Sequence, residues 1–294
     1  MLSTPKVLLQ IGFKEGRQMY FGSVDICSLK TSGQESIDKF TFKASAYIVY
    51  MNNRWLNLYL YLYSQHILIV NPDHTFKKLI INLKLAVPSF VELLELLQQF
   101  GIEGVYLAGG AVRNAFIDPA LVAKDLDIFV TKSAFDKVKD FLYKTGKLMT
   151  NQFGTYRWFA FKDHKFYYDI IVIPDFYNGL WKCRDIKDVL NQFDITVNAI
   201  AFDLLTGEFY DPQNGLLDIQ ERNLRAVRFD YPEIPVSETI SLSRNSVLWF
   251  RYQHYAQTLN LNMEPITANW LLENAFRAED LEEFTQHFFK PSIK

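Results

Sequence analysis

An α+β chain is predicted, with a β-rich N-terminal unit, a mixed strand-and-helix head and a helical C-terminal segment. Three observations predict it. In residues 1–88, Val7–Phe13, Phe40–Met51, Trp55–Val70 and Phe76–Leu85 are rich in aromatic and β-branched residues with stretches of period-two alternation, as in half-buried strands. From residue 89 to 232, strand and helix patterns alternate. After Pro235 the spacing is helical to the end, over Ile240–Leu259, Ala268–Ala275 and Glu279–Phe289. The expected units are therefore 1–88, 89–232 and 233–294.

Within the first unit, Trp55–Tyr63 places leucines on one parity and mainly tyrosines on the other, a strand with two chemically distinct faces. Asn52-Asn53 and Asn71-Pro72-Asp73 are breaks. Pro88-Ser89 opens an amphipathic helix, with Ser89 as expected N-cap, Glu92 three residues on, and leucines at 93, 94, 96 and 97 before Gly101 ends it. There follow a strand at Val105–Leu107, a Gly-Gly turn, a helix from Ala111, a strand at Leu126–Val130 and a helix at Ser133–Tyr143. Thr155–Phe161 and Phe166–Ile173 read as an antiparallel pair around Lys162-Asp163-His164. Asp188–Ala201 reads as a helix, and Asp211–Gly215 as a turn.

A chain of 294 residues exceeds one minimal domain, since domains run to ~100–200 residues. Its two cysteines, Cys27 and Cys183, lie too far apart in sequence for a metal-spaced cluster and make no disulfide framework, so a reducing compartment is expected. Met1–Lys6 lacks the apolar run of a signal peptide. Trp55–Val70 is interrupted by Asn57, Ser64, Gln65 and His66, short of the ~20 apolar residues of a membrane helix. A cytoplasmic protein without a membrane partner is expected. The net charge of −2 gives no global support to nucleic-acid binding, though it leaves a local basic patch open. Oligomeric state has no sequence signal.

Chemistry concentrates between Gly101 and Arg228. Gly109 and Gly110, between a strand and a helix, let the backbone approach a ligand and leave free N–H groups at a helix start, where phosphate binds. Arg113, about one turn on, adds a forked donor for the same anion. Asp125 and Asp127 are two apart on a strand, so both carboxylates share one face, while Leu126, Ile128 and Val130 face a core. Two hard oxygen ligands side by side suit a pair of magnesium ions, and without a cation they would repel. Asp169 is an acid in the apolar strand Phe166–Ile173, costly unless paired or metal-bound. Alone, a Gly-Gly turn is usually a turn and an Asp-x-Asp a solvated edge. Their order and spacing are what make the set specific.

The run resembles the head domain of the class II tRNA CCA-adding enzyme and bacterial poly(A) polymerase family, within the polymerase-β-like nucleotidyltransferase superfamily. Gly109-Gly110-Ala-Val-Arg113 with Lys124-Asp125-Leu-Asp127 is similar to its first motif. Phe153-Gly154-Thr155 through Asp169 resembles its second. Asp194-Ile-Thr196-Val-Asn198-Ala199 resembles its third, and Asp211-Pro212, Gly215, Asp218-Ile219 and Arg225 its fourth. The resemblance implies a mixed sheet with helices on one side, and a two-metal magnesium site on Asp125, Asp127 and Asp169, with Asp169 on the catalytic ion. It also implies a triphosphate on Gly109, Gly110 and Arg113, and Asp194 and Asn198 at the ribose or bracing the motif. The implied reaction is in-line attack of a hydroxyl on the α-phosphate of a nucleoside triphosphate, ATP being the expected one, with release of pyrophosphate. Residues four apart on a helix also support each other, the plainer reading of Asp194 and Asn198. Arg222, Arg225 and Arg228 could line RNA, but the acids around them favour a solvated face.

The sequence departs from the family in three places. Gln192 and Phe193 replace paired arginines before Asp194. In Arg244-Asn245-Ser-Val-Leu248-Trp-Phe-Arg251, only Arg251 survives from the base-reading motif, so edge discrimination through paired donors and acceptors is lost. With only residues 233–294 after the head, the family's helical body and tail are expected to be missing or short. Three functions stay open: nucleotide addition to an RNA 3′ end, nucleotidylation of a protein or small-molecule hydroxyl, and a catalytically silent binding protein. Three retained carboxylates count against the last.

Overall fold

The computed structural model describes residues 71–118, 121, 123–163, 166–177 and 179–293, together with the backbone of four short strands before residue 70. Two compact units divide at Ile69/Val70. In the first, β1 (Ile11–Glu15) pairs antiparallel with β2 (Gln18–Gly22), and β3 (Val49–Met51) with β4 (Arg54–Leu56). The rest of the expected strands Val7–Phe13, Phe40–Met51 and Trp55–Val70 lies outside the described residues.

The second unit opens on a helix. Phe76–Leu85, expected as a strand, belongs to α1 (Pro72–Ala86). Asn71 caps it by accepting from the Asp73 amide at 2.9 Å, and Pro72 suits the first helical position. Thr75, Leu79 and Leu83 are its buried side, a four-residue spacing that outweighs the β-branched Ile80-Ile81. In α2 (Pro88–Phe100), Ser89 lies inside the helix and is not its cap. It is buried, with its hydroxyl against the Asp163 carboxylate and 2.5 Å from the Tyr168 hydroxyl. Gly101, at φ 55°, closes α2 in the left-handed conformation.

The head then runs β5 (Val105–Ala108), α3 (Gly110–Ile117), β6 (Asp125–Val130), α4 (Lys132–Thr145), β7 (Gly146–Thr150), β8 (Tyr156–Ala160) and β9 (Tyr167–Val172). After α5 (Ile186–Leu190) come β10 (Ala201–Asp203) and β11 (Phe209–Tyr210). The seven strands form one sheet in the order β11-β10-β5-β6-β9-β8-β7. Every neighbouring pair is antiparallel except β6 and β9, which run parallel in the middle.

Period-two alternation gives this sheet two faces. Leu107, Leu126, Ile128, Val130, Ile170 and Val172 enter the main core with α1 to α4. Ala108, Phe129 and Ile171 point the other way, where Cys183, α5 and Ala199 cover part of the sheet. The larger helices thus share one face, while the short α5 sits on the other. The expected helix Asp188–Ala201 does not exist as such: α5 stops at Leu190, and residues 191–200 are turns closed by bonds such as Asn198 N–H to Ile195 O at 3.0 Å.

Beyond α6 (Gly215–Glu221) and β12 (Asn223–Leu224), the C-terminal stretch is not wholly helical. A hairpin of β13 (Pro235–Ser237) and β14 (Ile240–Ser243) takes the first turn of the expected helix Ile240–Leu259, and α7 spans Arg244–Thr258. Ser241 explains the change: its amide and hydroxyl both donate to the Glu283 carboxylate, a distant partner that short-range spacing does not reveal. β15 (Asn262–Met263) pairs with β12, and α8 (Pro265–Glu273) and α9 (Leu281–His287) complete the chain. Among the described residues no helix is long and apolar enough to cross a membrane.

Candidate active site

The site lies on the sheet face opposite α1 to α4. In the parallel pair, Asp127 is the register partner of Asp169 and Asp125 of Tyr167; across β5, Asp127 faces Ala108. Identical parity on adjacent strands therefore puts Asp125, Asp127 and Asp169 on one face. They are not equivalent there. The Tyr167 hydroxyl donates to Asp125 Oδ2 at 2.8 Å. The Arg157 guanidinium grips Asp169 with both prongs, Nε to Oδ1 at 2.8 Å and Nη2 to Oδ2 at 2.9 Å. Among the described residues no three acidic or thiol or imidazole groups converge as one metal cage. Asp169, expected as a third metal ligand, lies on the same face as the other two acids with its charge matched by Arg157.

Asp127 has the least favourable surroundings. Burial, and then repulsion from Asp125 and Asp169, push its carboxyl up to about 7. A divalent ion between Asp125 and Asp127 would remove that repulsion, and the hard oxygen donors are of the right kind. The backbone beside them leaves room. Gly109 stands at φ 70°, and a Cβ there would fall 2.8 Å from Asp127 Oδ2. The Asp125 and Asp127 carboxylates thus fit a cation as they stand, while that of Asp169 is engaged by Arg157.

Gly109 ends β5 and precedes α3, whose first amide groups are unpaired within the helix. Gly110 does not need to be glycine for its own conformation, since only Arg113 Nη2, at 3.5 Å, would meet its Cβ. Arg113 Nη1 donates to Asn198 Oδ1 at 2.5 Å, and its other nitrogens to Asn114 Oδ1. Asn198 in turn donates to Asp194 Oδ1 at 3.0 Å. Arg251 Nε and Nη2, from α7, donate to Asp194 Oδ2 at 2.9 and 2.6 Å. Tyr255 stands beside both cations, its ring 5.5 Å from the Arg113 guanidinium and 5.2 Å from that of Arg251. Burial works against ionisation of Asp194. The Arg251 charge and the bonds from Asn198, Arg251 and the Ile195 amide together hold it below the usual carboxylate range.

Asp194 and Asn198 do bond to each other, but within consecutive turns and not along a helix. Gln192 is buried and donates to Trp181 O at 2.9 Å, and Phe193 packs on Phe129. Neither supplies the site with a charge. At the base-reading positions, Leu248 is core, while Asn245 is buried and donates to Tyr231 O and Glu233 Oε1. Arg225 is taken up by Asp218 and Gln213 O, and Arg228 by Asp230 while lying 4.4 Å over the Trp181 ring. Neither is a free phosphate contact in this conformation.

The reading of the sequence missed Arg157, Tyr167 and Tyr255. A signal for Arg157 existed: an antiparallel pair turning about residue 163 sets position 157 opposite position 169, the observed register. The signals for Tyr255 were weaker, because its neighbours come from α3 and the turns before β10.

The mixed sheet with its larger helices on one face is the fold shared with solved CCA-adding enzymes. Residues 105–225 match the family model described as Poly A polymerase head domain. A CCA-adding enzyme of Lactococcus lactis subsp. cremoris is 26% identical over 200 residues, covering 64% of this chain and 46% of the relative. A multifunctional CCA protein of Xanthomonas euvesicatoria is 32% identical over 139 residues, 45% of this chain and 32% of the relative. The fold of a Thermotoga maritima CCA-adding enzyme, solved in complex with tRNA, superposes with a TM-score of 0.53 at 24% identity, covering 72% of this chain and 48% of that one. The chain thus spans about half or less of each relative.

Proposed function

We propose that this chain is a divalent-metal-dependent nucleotidyltransferase that adds a nucleoside monophosphate to an RNA 3′ end without a template. The observation that carries the reading is the placement of Asp125 and Asp127 on one strand face beside Gly109, with no lysine or arginine among the described residues bonded to either. When bound there, magnesium would neutralise phosphate charge and favour the ionised form of an attacking hydroxyl. The chain's own residues would do the rest. Amide groups at the start of α3 and the cation of Arg113 receive the triphosphate. Arg113 is held for this by Asn198, Asn198 by Asp194, and Asp194 by Arg251 from α7. Catalysis of this kind is positioning and charge neutralisation, for which such a braced relay is suited.

RNA as the acceptor is supported by the CCA-adding names of the relatives and by the tRNA complex of the Thermotoga maritima enzyme. ATP is the expected donor. Base choice is expected to be relaxed, because Asn245 and Leu248 are engaged in packing where base-edge readers would stand. One observation favours a competing reading, a silent head: the bidentate hold of Arg157 on Asp169. The test is incubation with each labelled triphosphate, magnesium or manganese, and either RNA or a cell lysate. Label on RNA supports the proposal. Label on a protein moves the acceptor to a side-chain hydroxyl, and no label with any donor overturns the enzyme reading.

A further inference from the structure

Around the acids, the charge count is unequal by strand. Among the described residues Asp125 accepts a hydrogen bond from the uncharged hydroxyl of Tyr167, whereas Asp169 carries a two-pronged guanidinium pair. Arg157 is fixed from a second side as well, its guanidinium lying 4.1 Å from the Tyr167 ring centre. Tyr167 therefore links the two acids it neighbours in space: its ring supports the cation on Asp169, and its hydroxyl bonds Asp125. Arg157 holds this place because β8 and β9 set it directly across from Asp169, where cross-strand side chains meet. The Arg157 side chain is 34% exposed and that of Asp169 16%, so the pair stands at the rim of the site, where its strength is modest and the guanidinium has a path into water.

We propose that Arg157 is a positioning residue acting as an internal counter-cation: it occupies the place of a metal charge at Asp169, so the resting head offers one divalent site, on Asp125 and Asp127, and a second only when Arg157 withdraws. This rests on the metal assignment made above for Asp125 and Asp127. Arginine suits the role because its fork matches both carboxylate oxygens at once and it stays charged at any physiological pH. A divalent ion reaching the two oxygens of Asp169 would meet the like charge of the guanidinium that already holds both, so the two cations compete for that carboxylate. Metal requirement is then set by the strength of an ion pair as well as by the carboxylates themselves.

The test measures Mn2+ binding by the electron paramagnetic resonance signal of the free ion, with chelator-stripped full-length protein and no nucleotide. The wild-type chain is expected to bind one ion. Arg157→Gln is expected to bind a second, or to bind tighter by on the order of tenfold, about what loss of a partly exposed forked pair permits. Adding Asp169→Asn to Arg157→Gln should abolish the gain. Arg157→Lys, which keeps the charge but not the fork, serves if the glutamine variant does not fold, and should show a smaller gain. A binding curve for Arg157→Gln or Arg157→Lys identical to wild type, with the wild-type ion still lost in Asp127→Asn, overturns the role of Arg157 alone. A wild-type chain that binds no Mn2+ overturns the metal assignment beneath it.

Discussion

On the face of β6 and β9 three carboxylates share one guanidinium, whereas in the relay from α3 to α7 two guanidiniums share one carboxylate. The first cluster is short of positive charge and the second short of negative. Buried charge of one sign is costly unless compensated. In the first cluster the cost is visible in Asp127, whose carboxyl is driven up to about 7 by burial and by its two acidic neighbours. In the second, every polar atom of Asp194 that receives a bond receives it from the chain itself. One cluster calls for a cation from outside, and the other is self-braced and ready for an anion. Under the proposed function, a magnesium–triphosphate pair would supply both.

The acidic face is tested most directly at Asp127. Asp127→Asn should lower nucleotide transfer by about a thousandfold or more, as removal of a main charge-stabilising group does. The melting temperature in chelator should not fall, because a repelled charge has been removed. Retained transfer would end the assignment of the acidic face. Next in size is Asp194→Ala, which leaves Arg251 and the Asn198–Arg113 arm without their acceptor. Such a loss from a buried pair costs about 3–5 kcal/mol, read as the shift of a urea midpoint. A loss under about 1 kcal/mol would show that the relay is not a brace.

Gly109→Ala should cost about 1–3 kcal/mol, from the positive φ and from the approach of its Cβ to Asp127, with transfer reduced in parallel. The pH dependence is a finer probe. The Asp127 carboxyl is at about 7 in the folded chain, against roughly 3.9 unfolded. The folded state therefore holds the extra proton between those values. Metal-free stability is highest at the acid end of this window and declines as pH rises to about 7. Melting curves in chelator from pH 5 to 7.5 should fall more steeply for wild type than for Asp127→Asn, and parallel curves would refute the perturbed carboxyl. The smallest effect is expected for Gly110→Ala, within about 1 kcal/mol and of stabilising sign, because alanine favours a helix and meets only the end of a flexible side chain.

Much of the geometry of the candidate site was legible because its residues are local in sequence or follow a fixed period. Gly109 and Gly110, Arg113, Asp125 and Asp127 fall within 19 residues, and the parity of a strand placed both acids on one face. What escaped depended on partners remote in sequence. Phe76–Leu85 contains Ile80-Ile81 and reads as a strand until its buried side is matched to the head. Ser89 is a good cap by type, yet Asp163 and Tyr168 claim it from across the fold. The stretch after Leu190 has helical spacing, but Asp194 and Thr196 are pinned by bonds to residues 251, 225 and 218, which hold the backbone in turns.

By itself the sequence determined which residue types line the acidic face and that a glycine must stand at its edge, since alternation along a strand and steric limits on φ act over two or three residues. Only the tertiary structure decided what each acid meets. Asp169 is matched by Arg157 from a neighbouring strand, and Asp194 by Arg251, 57 positions away. Electrostatic partners are chosen by proximity in space, and proximity is a property of the packed sheet and helices that no local pattern encodes.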